Sequence, residues 1–130
     1  MEVNMKIRDD LYYTETHEWV KVEGDVAYIG ISDFAQQELG EIVYVELPEV
    51  GDTVTAGEPF GSVETSKAVE DVNSPISGEV LKVNSDLEDN AEIVNNSPYT
   101  DGWMIKVQMD DAEEIENLLS ASAYKKIIEG

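Results

Sequence analysis

The chain of 130 residues has no cysteine and a single histidine, His17. Without thiols there is no disulfide, no thiolate nucleophile and no iron–sulfur ligation, and one imidazole cannot assemble the usual zinc ligand sets. A Ser-His-Asp triad could be built only on His17, which stands between Thr16 and Glu18; a packing or surface role is the expectation there. Basic residues are scarce too, 8 Lys and Arg against 29 Asp and Glu, for a formal net charge of −21. Phosphate backbones and anionic lipids are bound by clustered cations, so this balance argues against nucleic acid and membrane surfaces as partners. No window approaches 18 uninterrupted apolar residues, so no helix is expected to span a membrane. The opening Met1-Glu2-Val3-Asn4 is neither an apolar signal nor an Arg-rich transit segment. The expected location is therefore the cytoplasm of a bacterium or archaeon, or the mitochondrial matrix if the chain is a processed form. Carboxylates alone could still hold a metal, but the acidic stretch Asp86 to Asn90 lacks the alternating ligands and glycine of a calcium loop and reads as a solvated turn.

Apolar residues make up 42% of the chain, enough for a real core, and the length suits one domain. Residues 1–16 are polar and irregular, with Tyr12 and Tyr13 available to pack. Residues 17–109 carry short runs rich in Val, Ile and Tyr, broken by Gly and Pro at close intervals, which predicts a β core. Strands are expected at 19–22, 26–31, 41–47, 60–65, 68–72, 80–83 and 103–109. Ser32 is a fitting N-cap for a short helix over 33–39, and Gly40 a fitting stop. A helical turn is expected around 86–94. The tail, about 110–129, follows helical spacing: Ile115, Leu118 and Leu119 share one face, and Tyr124, Ile127 and Ile128 another. A faint echo between 51–60 and 86–93 hints at a two-fold arrangement of strands. Many short strands with short helices, including a C-terminal helical segment, predict a mainly β fold.

Between Lys21 and Lys82, Lys67 is the only basic residue. It lies between two β-prone runs, at the expected tip of a hairpin. By itself it reads as an ordinary exposed lysine that blunts a sheet edge. Its surroundings are more specific. Gly61-x-Val63-Glu64-x-x-Lys67-Ala68, followed by Ser74-Pro75-Ile76-Ser77-Gly78-Glu79-Val80, resembles the attachment region of biotinyl/lipoyl carrier domains. Biotin carriers usually flank the lysine with methionine; Ser66 and Ala68 stand there instead, which favours lipoyl. The resemblance narrows to the glycine cleavage H-protein family. Thr16-His17-Glu18-Trp19-Val20, Gly30 to Gln36, Leu39 to Pro48 and Tyr99-Thr100-Asp101-Gly102-Trp103-Met104-Ile105-Lys106 are similar to that family's blocks, in the same order. Thr65-Ser66 departs from its more frequent Ser-Val before the lysine.

The resemblance implies a barrel-sandwich hybrid of two small antiparallel sheets, with residues 1–130 as a single carrier domain. It also implies a carrier, not an enzyme: lipoate amide-linked to Lys67, with no catalytic residues and no metal. The partners implied are a pyridoxal-phosphate glycine decarboxylase (P protein), an aminomethyltransferase (T protein), a dihydrolipoyl dehydrogenase (L protein) and lipoate-attaching enzymes. Between the first two the arm would carry an aminomethyl group, and the dihydrolipoyl dehydrogenase would reoxidise its dithiol. Glu64 and Gly78 would help present the hairpin for lipoylation, and Glu18 and Asp71 would contact the loaded arm. The family precedent is a monomer, which the negative charge also favours. An H-like lipoyl carrier serving lipoate assembly or another sulfur or one-carbon pathway has the same residues. Two further readings are a hydrolase using Glu64 with Glu70 or Asp71, which lacks any positive motif, and an unmodified interaction module in which Lys67 is incidental.

Overall fold

A computed structural model describes residues 7–129. Nine strands form two antiparallel sheets. They are β1 (Tyr12–Tyr13), β2 (Glu18–Glu23), β3 (Val26–Ile31), β4 (Ile42–Glu46), β5 (Thr53–Val54), β6 (Pro59–Thr65), β7 (Val69–Asn73), β8 (Gly78–Val83) and β9 (Ile105–Met109). The larger sheet has the order β1-β2-β3-β9-β8-β5, and the smaller one β4-β6-β7. Helices fill the connections: α1 (Asp33–Leu39), the single turns α2 (Asp86–Asp89) and α3 (Ile93–Asn96), and the C-terminal α4 (Ala121–Glu129). The expected mainly β architecture of two small sheets with short helices is therefore present.

Alternation of side chains along each strand turns one set inward. On the larger sheet, register places Ala27, Val107 and Val80 in one inward row and Ile29, Ile105 and Val83 in the next. Val45, Val63 and Val72 of the smaller sheet meet them in a shared core, closed at its ends by Ile76, Leu87 and Val94. A second cluster forms on the outward face of the larger sheet, where Tyr13 and Trp19 are register partners. There Tyr13 stacks on Tyr124 of α4, with ring centroids 4.4 Å apart. The Trp19 indole lies across Gly30, where a Cβ would come within 2.8 Å of its ring, and its Nε1–H donates to the Pro98 carbonyl at 2.9 Å.

The expected helix α1 forms over the expected residues. Ser32 Oγ accepts from the Ala35 N–H, and Gly40 ends the helix at φ 81°. Other expectations are corrected. The opening segment is not wholly irregular: Leu11 and Tyr13 are buried, and β1 pairs with β2. Residues 1–6 lie outside the described residues. The first tail helix is a 3-10 segment (Ala112–Asn117) capped by Asp111, because Ile115 and Leu118 must reach the main core while Leu119 turns into the second cluster. In α4, Tyr124 and Ile128 face the body and Ile127 is exposed. The echo between 51–60 and 86–93 is no structural repeat: the first is strand, turn and strand, the second two helical turns.

The sequence places Gly78 at the end of a turn over 75–78, and the structure places it in a strand. It opens β8, buried in the larger sheet, with Val54 and Met109 as register partners. A Cβ there would lie 2.0 Å from the Gln108 carbonyl oxygen, so the absence of a side chain allows the close approach of β8 and β9. Gly78→Ala is expected to lower the unfolding free energy by about 2 kcal/mol or more, the cost of overpacking against backbone. Chemical denaturation measures it, and a loss below ~0.5 kcal/mol would show that β8 and β9 part without strain.

Candidate functional site

The hairpin of β6 and β7 is held to its tip. Glu64 pairs with Val69, and the Thr65 N–H donates to the Ala68 carbonyl at 2.9 Å. Thr65 Oγ1 accepts from the N–H groups of Lys67 and Ala68, both at 3.2 Å. The residue that departs from the family pattern thus fastens the turn with its own hydroxyl. Lys67 is exposed and makes no ion pair among the described residues. Such a lysine offers its amine to a large partner at a fixed place.

Beside the hairpin stem lies a cavity of about 350 Å³. Ile31, Phe34, Leu39, Val63 and Val72 give it apolar walls, and Glu18, Glu38, Glu70 and Asp71 give it carboxylates. At about 3.3 Å of rise per residue, Asp71 stands roughly 10 Å down β7 from the tip. The structure therefore brings together Glu18 and Asp71, which are 53 positions apart in the chain. Glu64 points elsewhere, along the outward row of the smaller sheet, in register with Tyr44 and Val69.

Glu18 is only 2% exposed. Its Oε1 accepts from the hydroxyls of Thr14 and Thr16, and its Oε2 accepts from the Asn73 N–H at 3.2 Å. Burial pushes its carboxyl above the usual range, and those three donors pull partly the other way. The turn that delivers the threonines carries His17 at φ 74°, the one non-glycine with positive φ among the described residues. Such a conformation is costly for a side chain with a Cβ and persists only where the surroundings hold it. Here they do: the imidazole lies 4.8 Å from the Phe34 ring, and Nδ1 is 2.9 Å from the Tyr124 hydroxyl, itself 2.7 Å from Ser32 Oγ. Burial lowers the His17 pKa, which keeps the ring neutral at pH 7, so His17 has the packing role expected of it.

The sequence reading did not single out Thr14, Tyr124 or Phe34 for this site. Thr14 and Thr16 do alternate toward Glu18, a period-two signal that a strand-side turn would use. Nothing local marks Tyr124, which reaches the site from 107 positions away.

Comparison with known proteins places the chain in a family. The family model described as glycine cleavage H-protein matches residues 11–130. The chain belongs to the glycine cleavage H-protein family. The glycine cleavage system H protein of Halalkalibacterium halodurans is 59% identical over 120 residues, 92% of this chain and 94% of that one. That of Bacteroides thetaiotaomicron is 49% identical over 126 residues, 97% and 100% of the two chains. A crystal structure of the H protein from Mycobacterium marinum superposes with a TM-score of 0.87 at 38% identity, covering 95% of this chain and all of that one.

In this member of the H-protein family the titration of Glu18 has a defined sign. Its folded pKa lies above the unfolded value, so the stability it contributes is full below about pH 4.3 and is lost as pH rises through the folded value. Glu18→Gln removes that titration. The stability of the variant relative to the parent is expected to rise with pH across this window and then level off. A difference that stays flat from pH 4 to 8 in denaturation experiments would show that the three donors fully offset burial.

Proposed function

We propose that this protein is the carrier subunit of the glycine cleavage system that bears lipoate on Lys67. The observation that supports this most directly is a lone, exposed amine on a fastened turn, about 10 Å along a strand from a groove with apolar walls and carboxylates. The residues present fit the group. A hydrocarbon arm suits Ile31, Phe34, Leu39 and Val63, and a cationic load at its end suits Glu18 and Asp71. When bound, lipoate supplies a disulfide that accepts and releases a one-carbon amine unit and is then reoxidised.

The chain's own residues present and protect. Lysine amines are almost wholly protonated at neutral pH, so acylation falls to a lipoate-attaching enzyme that recognises the folded hairpin, with Glu64 part of what it reads. Glu18 and Asp71 hold the ammonium form of the carried amine. A carboxylate nearby raises an amine's pKa, and a protonated amine has no lone pair with which to expel its neighbour. The cationic load in turn favours the ionised form of Glu18, which burial alone resists. The groove walls exclude water around both. A pyridoxal-phosphate glycine decarboxylase, an aminomethyltransferase and a dihydrolipoyl dehydrogenase complete the system as partners. The protein acts among them as a non-catalytic monomer in the cytoplasm, a reading supported by the bacterial origin of its relatives.

Incubation with lipoate, ATP and a lipoate ligase is expected to add one lipoyl increment, confined to the peptide containing Lys67. Lys67→Arg should take none, and an equal increment on that variant would overturn the assignment. With Lys67 intact, Glu18→Ala combined with Asp71→Ala should shorten the half-life of the one-carbon load by about tenfold, the ratio that one unit of amine pKa confers. Mass spectrometry of the loaded carrier over time measures it, and an unchanged half-life would remove these two residues from the site.

A further inference from the structure

Charge is divided unequally between the two sheets. On the outward face of the smaller sheet, register sets Tyr44, Glu64 and Val69 in one row and Glu46 and Ser62 in the next, whose edge-strand partner Asp71 lines the groove described above. Tyr44 is 44% exposed and Val69 60%, and Val43 at the adjoining bulge is exposed as well. Three of the large apolar side chains most open to solvent therefore sit around the lysine hairpin, beside the carboxylates of Glu46 and Glu64. Lys67 is the sole cation on these strands, and an amide at its nitrogen would leave none.

The opposite side of the molecule is different. The outward face of the larger sheet carries a row of register partners across four strands: Lys21, Tyr28, Lys106 and Lys82. The Lys106 ammonium lies over the Tyr28 ring, 5.4 Å from its centroid, and Glu23 answers Lys21 at 3.3 Å. Because both sheets turn their inner faces to one core, these two outward faces point away from each other.

We propose that the outward face of the smaller sheet is the seat of the enzyme that acylates Lys67, and that the lysine row behind it orients the approach. The proposal rests on the carrier reading above. The partner's face is an apolar seat, which takes Tyr44 and Val69, within a rim of Lys or Arg, which meets Glu46 and Glu64. Complementary charge speeds encounter and selects orientation, while buried apolar contact holds the complex. A protein of net charge −21 is drawn to a cationic rim from any side; the cations behind turn the hairpin side forward.

The test uses unmodified protein as substrate for a purified lipoate ligase, with acylation of Lys67 followed by intact mass. Glu46→Lys and Glu79→Lys change the net charge equally. Both side chains are exposed on strands, the first on the hairpin side and the second on the larger sheet, beside Gln108. Glu46→Lys should lower kcat/KM about tenfold at low salt, chiefly through KM, and the deficit should shrink as salt is added. Glu79→Lys should stay within about twofold of the parent, because only net charge has changed there. Tyr44→Ser should raise KM at all salt concentrations, with an unchanged unfolding midpoint. Equal effects of the two charge reversals, or parent-like acylation of Glu46→Lys and Tyr44→Ser, would overturn the proposal. So would sedimentation showing a dimer of the parent that Glu46→Lys dissociates without slowing acylation, since the face would then belong to a second copy. No increment on the parent would instead overturn the carrier reading itself.

Discussion

One phenolic oxygen, that of Tyr124, joins three segments that are far apart in the chain. It meets His17 Nδ1 across 107 positions and Ser32 Oγ across 92. Ser32 also caps α1, and its N–H donates to the His17 carbonyl, so the cap, the turn before β2 and the C-terminal helix form a closed set. Burial raises the Tyr124 hydroxyl to about pKa 12, so it remains a donor through any physiological range. The left-handed conformation of His17 depends on this clasp and on Phe34. On that conformation depends the delivery of the Thr14 and Thr16 hydroxyls to Glu18.

A buried carboxylate in a chain with so many acids requires a reason, since burial without compensation is costly. Glu18 receives partial compensation from three donors. None of these is a cation, which leaves its ionised form short of a counter-charge. That shortage is the property a carrier of a cationic amine would use. The site is complete as a hydrogen-bonded structure, and a positive charge in the neighbouring groove would add to it. Lys67 stands outside this arrangement on an exposed turn, while the groove is walled by the stem of its hairpin on one side and by the turn before β2, Ile31 and α1 on the other.

Much of this architecture was legible in the chain itself. The strand runs, the Ser32 cap and the Gly40 stop are set by alternation and by backbone chemistry within a few residues, so local reading located them. The tip of the hairpin was equally local, with Ser66 and Lys67 between two β-prone runs. The tail was less so. Its spacing predicted two helices, but the tightening of 112–117 to a 3-10 turn came from the need to send Ile115 and Leu118 to one cluster and Leu119 to the other. The division of Tyr124 and Ile128 from Ile127 has the same origin.

The sequence by itself determined the class of the protein: the absence of thiols, the near absence of imidazole and cations, and a single lysine in a family-specific hairpin are properties of composition and short spacing. Tertiary structure decided where those residues stand relative to one another. Glu18 opens β2 and Asp71 sits mid-way along β7, in different sheets, and only the packing of one sheet on the other gives them a common groove. Gly78 reads as a turn glycine in one dimension and becomes a strand contact in three, because the carbonyl it must clear belongs to Gln108, thirty positions on. The separation of carboxylates from lysines on opposite faces is likewise set by register, and register is fixed when the apolar rows of both sheets turn inward to one core.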